Sequence, residues 1–235
     1  FKFNKDEKTN DLLRRINYLG GLERHSRLLL AVFLTKSPEN TASILELIER
    51  MVFRSKRQPD TTKLALEIYR QKYSVKKIRD EIKEIMNQSC SNKMFKEVMQ
   101  SVEFFNDTKN NAKANYFFYH YEGELAEKNL TASCLPPFEE FCKSDYKRFE
   151  IEHIEPQNPS GRKPLDWVNK IGNLTGTFEN KKLGNKEFIE KKHIYKISSL
   201  YVEKELAKYP TWDEQDIKKR TDELVRFALK KWQIP

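Results

Sequence analysis

Along the first 147 residues the apolar positions fall three and four apart, the period of helices that bury one face. Leu12, Leu13, Ile16 and Leu19 form a first stripe, which Gly20-Gly21 ends. Leu28 to Leu34 is apolar nearly all round and predicts the most buried helix of the protein. Ser37-Pro38-Glu39 reads as an N-cap with proline at the first helical position, opening a helix through Ile44, Leu47, Ile48, Met51 and Val52. Further helices are expected at Leu64 to Tyr69, along Val75, Ile78, Ile82 and Ile85, at Met94 to Phe105 and at Asn115 to Leu125. In the last of these, the adjacent aromatics from Tyr116 to Tyr121 point to several sides of a helix. Core packing therefore outweighs stacking on nucleic-acid bases, and His25 and His120 read as hydrogen-bonded structural histidines. Leu135-Pro136-Pro137-Phe138 breaks the helical pattern.

The period then changes. Phe149, Ile151 and His153 alternate with Glu150 and Glu152, as in a short strand that Pro156 stops by denying the ladder a donor. Asn158-Pro159-Ser160-Gly161 reads as a loop, and Ile171 to Thr177 as a second short strand or turn that pairs with the first. Asn180 sits like an N-cap, and Phe188, Ile189, Lys192 and Tyr195 continue that segment at helical spacing. In the tail, Thr211 caps a helix beginning at Trp212-Asp213-Glu214, with Ile217, Leu224, Phe227 and Ala228 on its apolar face.

Composition narrows the class. Lys and Arg number 44 against 35 Asp and Glu, a net charge of +9 that suits a polyanionic partner without demanding one. No apolar run approaches the roughly 20 residues of a membrane span, and the N-terminus does not read as a signal peptide. Cys90, Cys134 and Cys142 are odd in number and widely spaced, which points to reduced thiols, a cytoplasmic setting and no zinc ribbon. The chain opens on Phe1 rather than methionine, which leaves open whether it is a fragment of a longer protein.

The candidate chemistry lies in Glu152-His153-Ile154-Glu155-Pro156-Gln157. A histidine between carboxylates, at the end of an apolar run stopped by proline, points to chemistry rather than packing. This hexapeptide is followed by Gly172-Asn173-Leu174, Glu179-Asn180-Lys181 and Gly184-Asn185-Lys186-x-Phe188-x-x-Lys191. In that order the motifs resemble the C-terminal nuclease domain of GmrSD-type restriction endonucleases, members of the HNH, or ββα-metal (His-Me finger), nucleases. The likeness extends upstream to Asn115 through Glu122 and downstream to Trp212 through Trp232, about half of the chain.

The resemblance implies a division of labour. His153 is the general base for an attacking water, and Glu152 and Asn180 hold Mg²⁺ or Mn²⁺ through oxygen. Asn173 braces the loop that aims His153. Lys181, Lys182, Lys186 and Lys191 meet substrate phosphates, whereas without the motif such lysines read as a solvated helix face. Two alternatives stay open. Asn185 rivals Asn180, and a continuous helix would turn the two to different faces. Glu150 or Glu155 rivals Glu152, because neighbours in a regular strand face opposite sides.

These observations predict a mainly α protein: a helical scaffold over 1–147, a small embedded ββα-metal (HNH-like) finger over 148–199, and C-terminal helices over 200–235 that pack back on the scaffold. The expected activity is that of a divalent-metal-dependent DNA endonuclease or nickase, the C-terminal effector part of a restriction or phage-defence protein. Its partners would be double-stranded DNA, modified DNA included, and an N-terminal nucleotide-hydrolysing domain outside this chain. The competing expectations are a catalytically decayed module that binds DNA or docks a partner, and a purely helical adaptor.

Overall fold

The protein is described here by a computed structural model covering residues 6–102, 112–143, 149–158 and 165–235. The end of the helix expected to reach Phe105, the boundary expected at 147 and the loop over 159–161 lie outside these residues. The chain divides into two compact units, Phe1–Lys96 with Lys231–Pro235, and Glu97–Lys230.

In the first unit the helices are α1 (Glu7–Tyr18), α2 (Gly21–Arg24), α3 (Ser26–Thr35), α4 (Pro38–Arg54), α5 (Thr62–Tyr69) and α6 (Val75–Cys90), and the division falls within α7 (Asn92–Gln100). Asp6 caps α1 by accepting from the Lys8 amide, and α1 gives way to Gly20, whose φ of 74° suits glycine. The most buried helix is α4, not α3. Ile44, Leu45, Ile48, Met51, Val52 and Phe53 are inaccessible to solvent, whereas Leu30 and Leu34 of α3 are 56% and 63% exposed. An all-round apolar run does not ensure burial on every side: α3 packs against α4 and α5 and leaves one side to solvent. Buried Arg54 donates to the Cys90 carbonyl and, at 2.9 Å, to that of Trp232, while the Trp232 indole donates to Glu49. His25 is a structural histidine, with Nδ1 3.1 Å from Thr61 Oγ1 and Nε2 3.1 Å from Gln58 Oε1.

The second unit contains α8 (Ala112–Lys128), α9 (Phe138–Phe141), β1 (Glu150–His153), β2 (Leu174–Thr177), α10 (Asn180–Leu183), α11 (Phe188–Ile197), α12 (Tyr201–Leu206) and all but the last residue of α13 (Glu214–Lys231). Tyr116, Phe117 and Phe118 of α8 are inaccessible to solvent, as expected of core aromatics. Among the described residues β1 and β2 form one antiparallel pair, with Glu150 opposite Thr177 and His153 opposite Leu174. The expected second strand is shorter than Ile171 to Thr177, because Ile171–Asn173 is a 3₁₀ turn. Gly172 in that turn lies against α13, where a Cβ would stand 2.2 Å from the Ile217 carbonyl oxygen. Arg220, buried on α13, donates to the carbonyls of Gly172 and Leu174 at 2.7 and 2.6 Å and thereby holds the start of β2. On α8, the buried Glu122 carboxylate accepts from the amides of Tyr201 and Val202, both at 2.9 Å, and caps α12 from a distance in sequence. Cys90, Cys134 and Cys142 are free thiols.

The segment expected to run as one helix from Asn180 is two. Asn180 is the first residue of α10 rather than its cap, and Gly184, with φ of 49°, ends that helix after Leu183. The chain restarts at Glu187, whose side chain forms a reciprocal capping box with Glu190 and sets the first turn of α11.

Candidate active site

β1 ends at His153, and the three residues after it are buried. Wholly buried Asn173 fixes this stretch through four hydrogen bonds. Its Oδ1 accepts from the Glu155 amide at 2.8 Å and the Trp212 indole at 3.0 Å, and its Nδ2 donates to the carbonyls of Glu155 at 3.0 Å and Val168 at 2.8 Å. One amide thus joins the loop after β1, the approach to β2 and the segment leading into α13.

His153 is half-buried, with Nε2 3.0 Å from Asn169 Oδ1. That oxygen also accepts from Gln157 Nε2 at 2.9 Å. A carbonyl oxygen can only accept, so the ring hydrogen lies on Nε2 and the Nδ1 lone pair is left for a proton. Burial draws the imidazole pKa below its ordinary 6.5; the Asn169 contact opposes this and the Lys191 charge adds to it. The ring is therefore neutral at neutral pH.

Glu152 is 5% exposed, and its Oε1 lies 2.6 Å from Lys191 Nζ. Burial raises the carboxyl pKa and lowers that of the ammonium, and their mutual attraction opposes both shifts. Lys191 is itself inaccessible to solvent. This corrects the expectation that it contacts DNA, since a wholly enclosed ammonium cannot reach a phosphate. The buried stripe of α11 is Phe188, Lys191 and Tyr195, with Ile189 68% exposed rather than packed.

Among the rivals, Glu150 is exposed and its Oε2 accepts from Asn180 Nδ2 at 2.6 Å, while Glu155 is buried. With Nδ2 engaged, Oδ1 of Asn180 remains as an oxygen donor. A cavity of about 390 Å³ gathers Glu152, His153, Asn169, Asn180 and Asn185 on its walls. Glu152 and His153 share it although neighbours in a strand diverge. α10 ends at Gly184, so Asn180 and Asn185 do not lie on one continuous helix, which removes the helical argument for setting them apart.

The donors suit a hard cation. Among the described residues no three His, Cys, Asp or Glu side chains cluster as a metal cage would require. One carboxylate and amide oxygens around an open cavity instead match an ion such as Mg²⁺, which keeps several waters and takes few protein ligands. Lys181, Lys182 and Lys186 are exposed. Lys182 pairs with Glu179 at 2.7 Å, and Lys186 donates to the Lys182 carbonyl. Lys182 and Lys186 line a second, wider groove of about 1010 Å³ together with exposed His193.

The sequence alone does not single out Asn169 or Arg220, and it points Lys191 to a different role. Asn169 lies in a stretch with no periodic signal. Lys191 and Arg220 carried one: each falls at helical spacing on an apolar stripe, where a charged residue is either solvated at the edge or buried with partners.

A family model described as GmrSD restriction endonucleases, C-terminal domain, matches residues 90–227. The match covers more than half of the chain and nearly all of the second unit. No curated protein matches the chain.

Proposed function

The chain belongs to the family of GmrSD restriction endonuclease C-terminal domains, a nuclease domain with DNA as its substrate, and we propose that it hydrolyses phosphodiester bonds as an HNH-type, divalent-metal-dependent endonuclease or nickase. In this reading β1, β2 and α10 form the ββα-metal finger. The observation that carries it is the single cavity walled by Glu152, His153, Asn169 and Asn180. His153 takes the proton of the attacking water at Nδ1 while Asn169 holds Nε2. Glu152 and Asn180 would hold Mg²⁺ or Mn²⁺, with Asn185 as a rival for Asn180. A divalent ion bound there would supply positive charge to offset the negative charge that develops during hydrolysis. Asn173 keeps the loop behind His153 in place, and Lys181, Lys182 and Lys186 meet the phosphates on either side of the scissile one.

The substrate in this proposal is double-stranded DNA, modified DNA included, in a cytoplasmic restriction or phage-defence system. The whole protein would carry an N-terminal nucleotide-hydrolysing domain. Among the described residues no helix is long and apolar enough to cross a membrane. The experiment is incubation of supercoiled plasmid with the chain in Mg²⁺, Mn²⁺ or chelator. Nicked or linear product with either ion and none with chelator is expected; intact plasmid under all three conditions would overturn the proposal.

A further inference from the structure

Phe188, Lys191 and Tyr195 lie three and four residues apart on α11 and so leave the same face. Phe188 and Tyr195 join Ile154, Leu183 and Leu206 in a buried apolar cluster. An ammonium on that stripe, inaccessible to solvent, would be costly without partners. Lys191 Nζ has three: Glu152 Oε1 at 2.6 Å, the His153 carbonyl at 2.7 Å and the Ile154 carbonyl at 3.3 Å. Three oxygens match the three hydrogens an ammonium offers. All three belong to consecutive residues, and those residues include the side chains read above as base and metal ligand. The capping box at Glu187 and Glu190 fixes the turn of α11 that delivers Lys191.

We propose that Lys191 is a positioning residue of the active site: it anchors the Glu152 carboxylate and the backbone of His153 and Ile154, so that two neighbouring side chains of β1 serve one cavity. This rests on the nuclease reading above. Lys191 touches neither the reacting phosphate nor the water. It acts through Glu152, as an outer partner that orients a metal ligand, and loss of such a partner typically weakens metal affinity or activity by about 10- to 100-fold.

The test uses the full chain with Lys191→Met, close in length but uncharged, and Lys191→Arg, which keeps the charge and changes its shape. Three quantities are measured: the Mn²⁺ concentration needed for half-maximal plasmid cleavage, equilibrium Mn²⁺ binding by electron paramagnetic resonance, and the slope of log K against log salt for DNA binding in chelator. With Lys191 as a positioning residue, K191M raises the Mn²⁺ requirement and weakens Mn²⁺ binding by about 10- to 100-fold. DNA affinity and its salt slope stay as in wild type. If K191M does not fold, K191R gives the answer: a shifted Mn²⁺ requirement with an unchanged slope supports positioning. Wild-type Mn²⁺ behaviour in a folded K191M or K191R overturns the proposal, as does a salt slope reduced by about 0.9, the mark of one lost phosphate contact. An active wild type with unaffected variants sinks this inference alone; an inactive wild type sinks it together with the nuclease reading.

Discussion

Asn173→Ala removes an amide whose four hydrogen bonds join three segments of the second unit. A hydrogen bond within a protein contributes a net of about 0.5–1.5 kcal/mol, so four lost together amount to about 2–6 kcal/mol. At least the middle of that range applies, because Asn173 is wholly buried and alanine takes one partner each from the enclosed amide and carbonyl of Glu155. A loss of about 4 kcal/mol at about 2–4 °C per kcal/mol lowers the melting temperature by about 8–16 °C. Asn173→Asp is the sharper companion. It keeps an oxygen for the Glu155 amide and the Trp212 indole but sets a second oxygen against the carbonyls of Glu155 and Val168, so it should destabilise at least as much. Thermal unfolding followed by circular dichroism reads both variants. At a temperature where N173A is folded, cleavage should be slower by about 10- to 100-fold with little change in the Mn²⁺ requirement, because the loop behind His153 shifts while the metal ligands stay. A melting temperature within about 2 °C of wild type would refute the hydrogen-bond arithmetic. An altered metal requirement at an unchanged rate would refute the bracing role.

His153→Ala should lower cleavage by about 10²- to 10⁴-fold with folding and DNA affinity nearly intact. Because burial depresses the His153 pKa, the acid limb of wild-type cleavage should have its midpoint below pH 6.5, and a midpoint above 6.5 in the pH–rate profile would contradict the assignment. Asn180→Ala should raise the Mg²⁺ or Mn²⁺ needed for cleavage; if metal titration shows the shift in N185A and not in N180A, Asn185 is the ligand. Replacing Lys181, Lys182 and Lys186 together should reduce the slope of log K against log salt by about one unit or less per lysine, and an unchanged slope would return them to a solvated face. Glu203, inaccessible to solvent and hydrogen-bonded to Ser198, has its pKa raised by burial from 4.5 to about 7, so the folded state holds this proton more tightly than the unfolded state does. That contribution is complete below pH 4.5 and is lost as pH rises through 7, so Glu203→Gln should stabilise the protein by about 3 kcal/mol at pH 8 relative to its effect at pH 4; denaturant titrations at the two pH values giving equal effects would refute it.

Most of the long helices and the motif are legible in the sequence. Apolar spacing is a local record of which side of an element meets the core, so α1, α4, α5, α6, α8 and α13 were legible from it, as were the alternation of β1 and its end before Pro156. The Glu-His-Ile-x-Pro-Gln run and its downstream glycines and asparagines marked the family. Only the tertiary structure decided what each polar residue faces. Whether α3 is enclosed depends on how many neighbours cover it, and one side stays open. Whether Asn180 and Asn185 share a cavity depends on the backbone turn at Gly184, whose φ no periodicity reports. Lys191 and Lys186 are the same residue type five positions apart; one is buried against Glu152 and the other is exposed. That difference arises from partners 37 to 39 residues away in the chain, and it is large in energy because an ammonium leaves water only where several oxygens have been assembled to receive it.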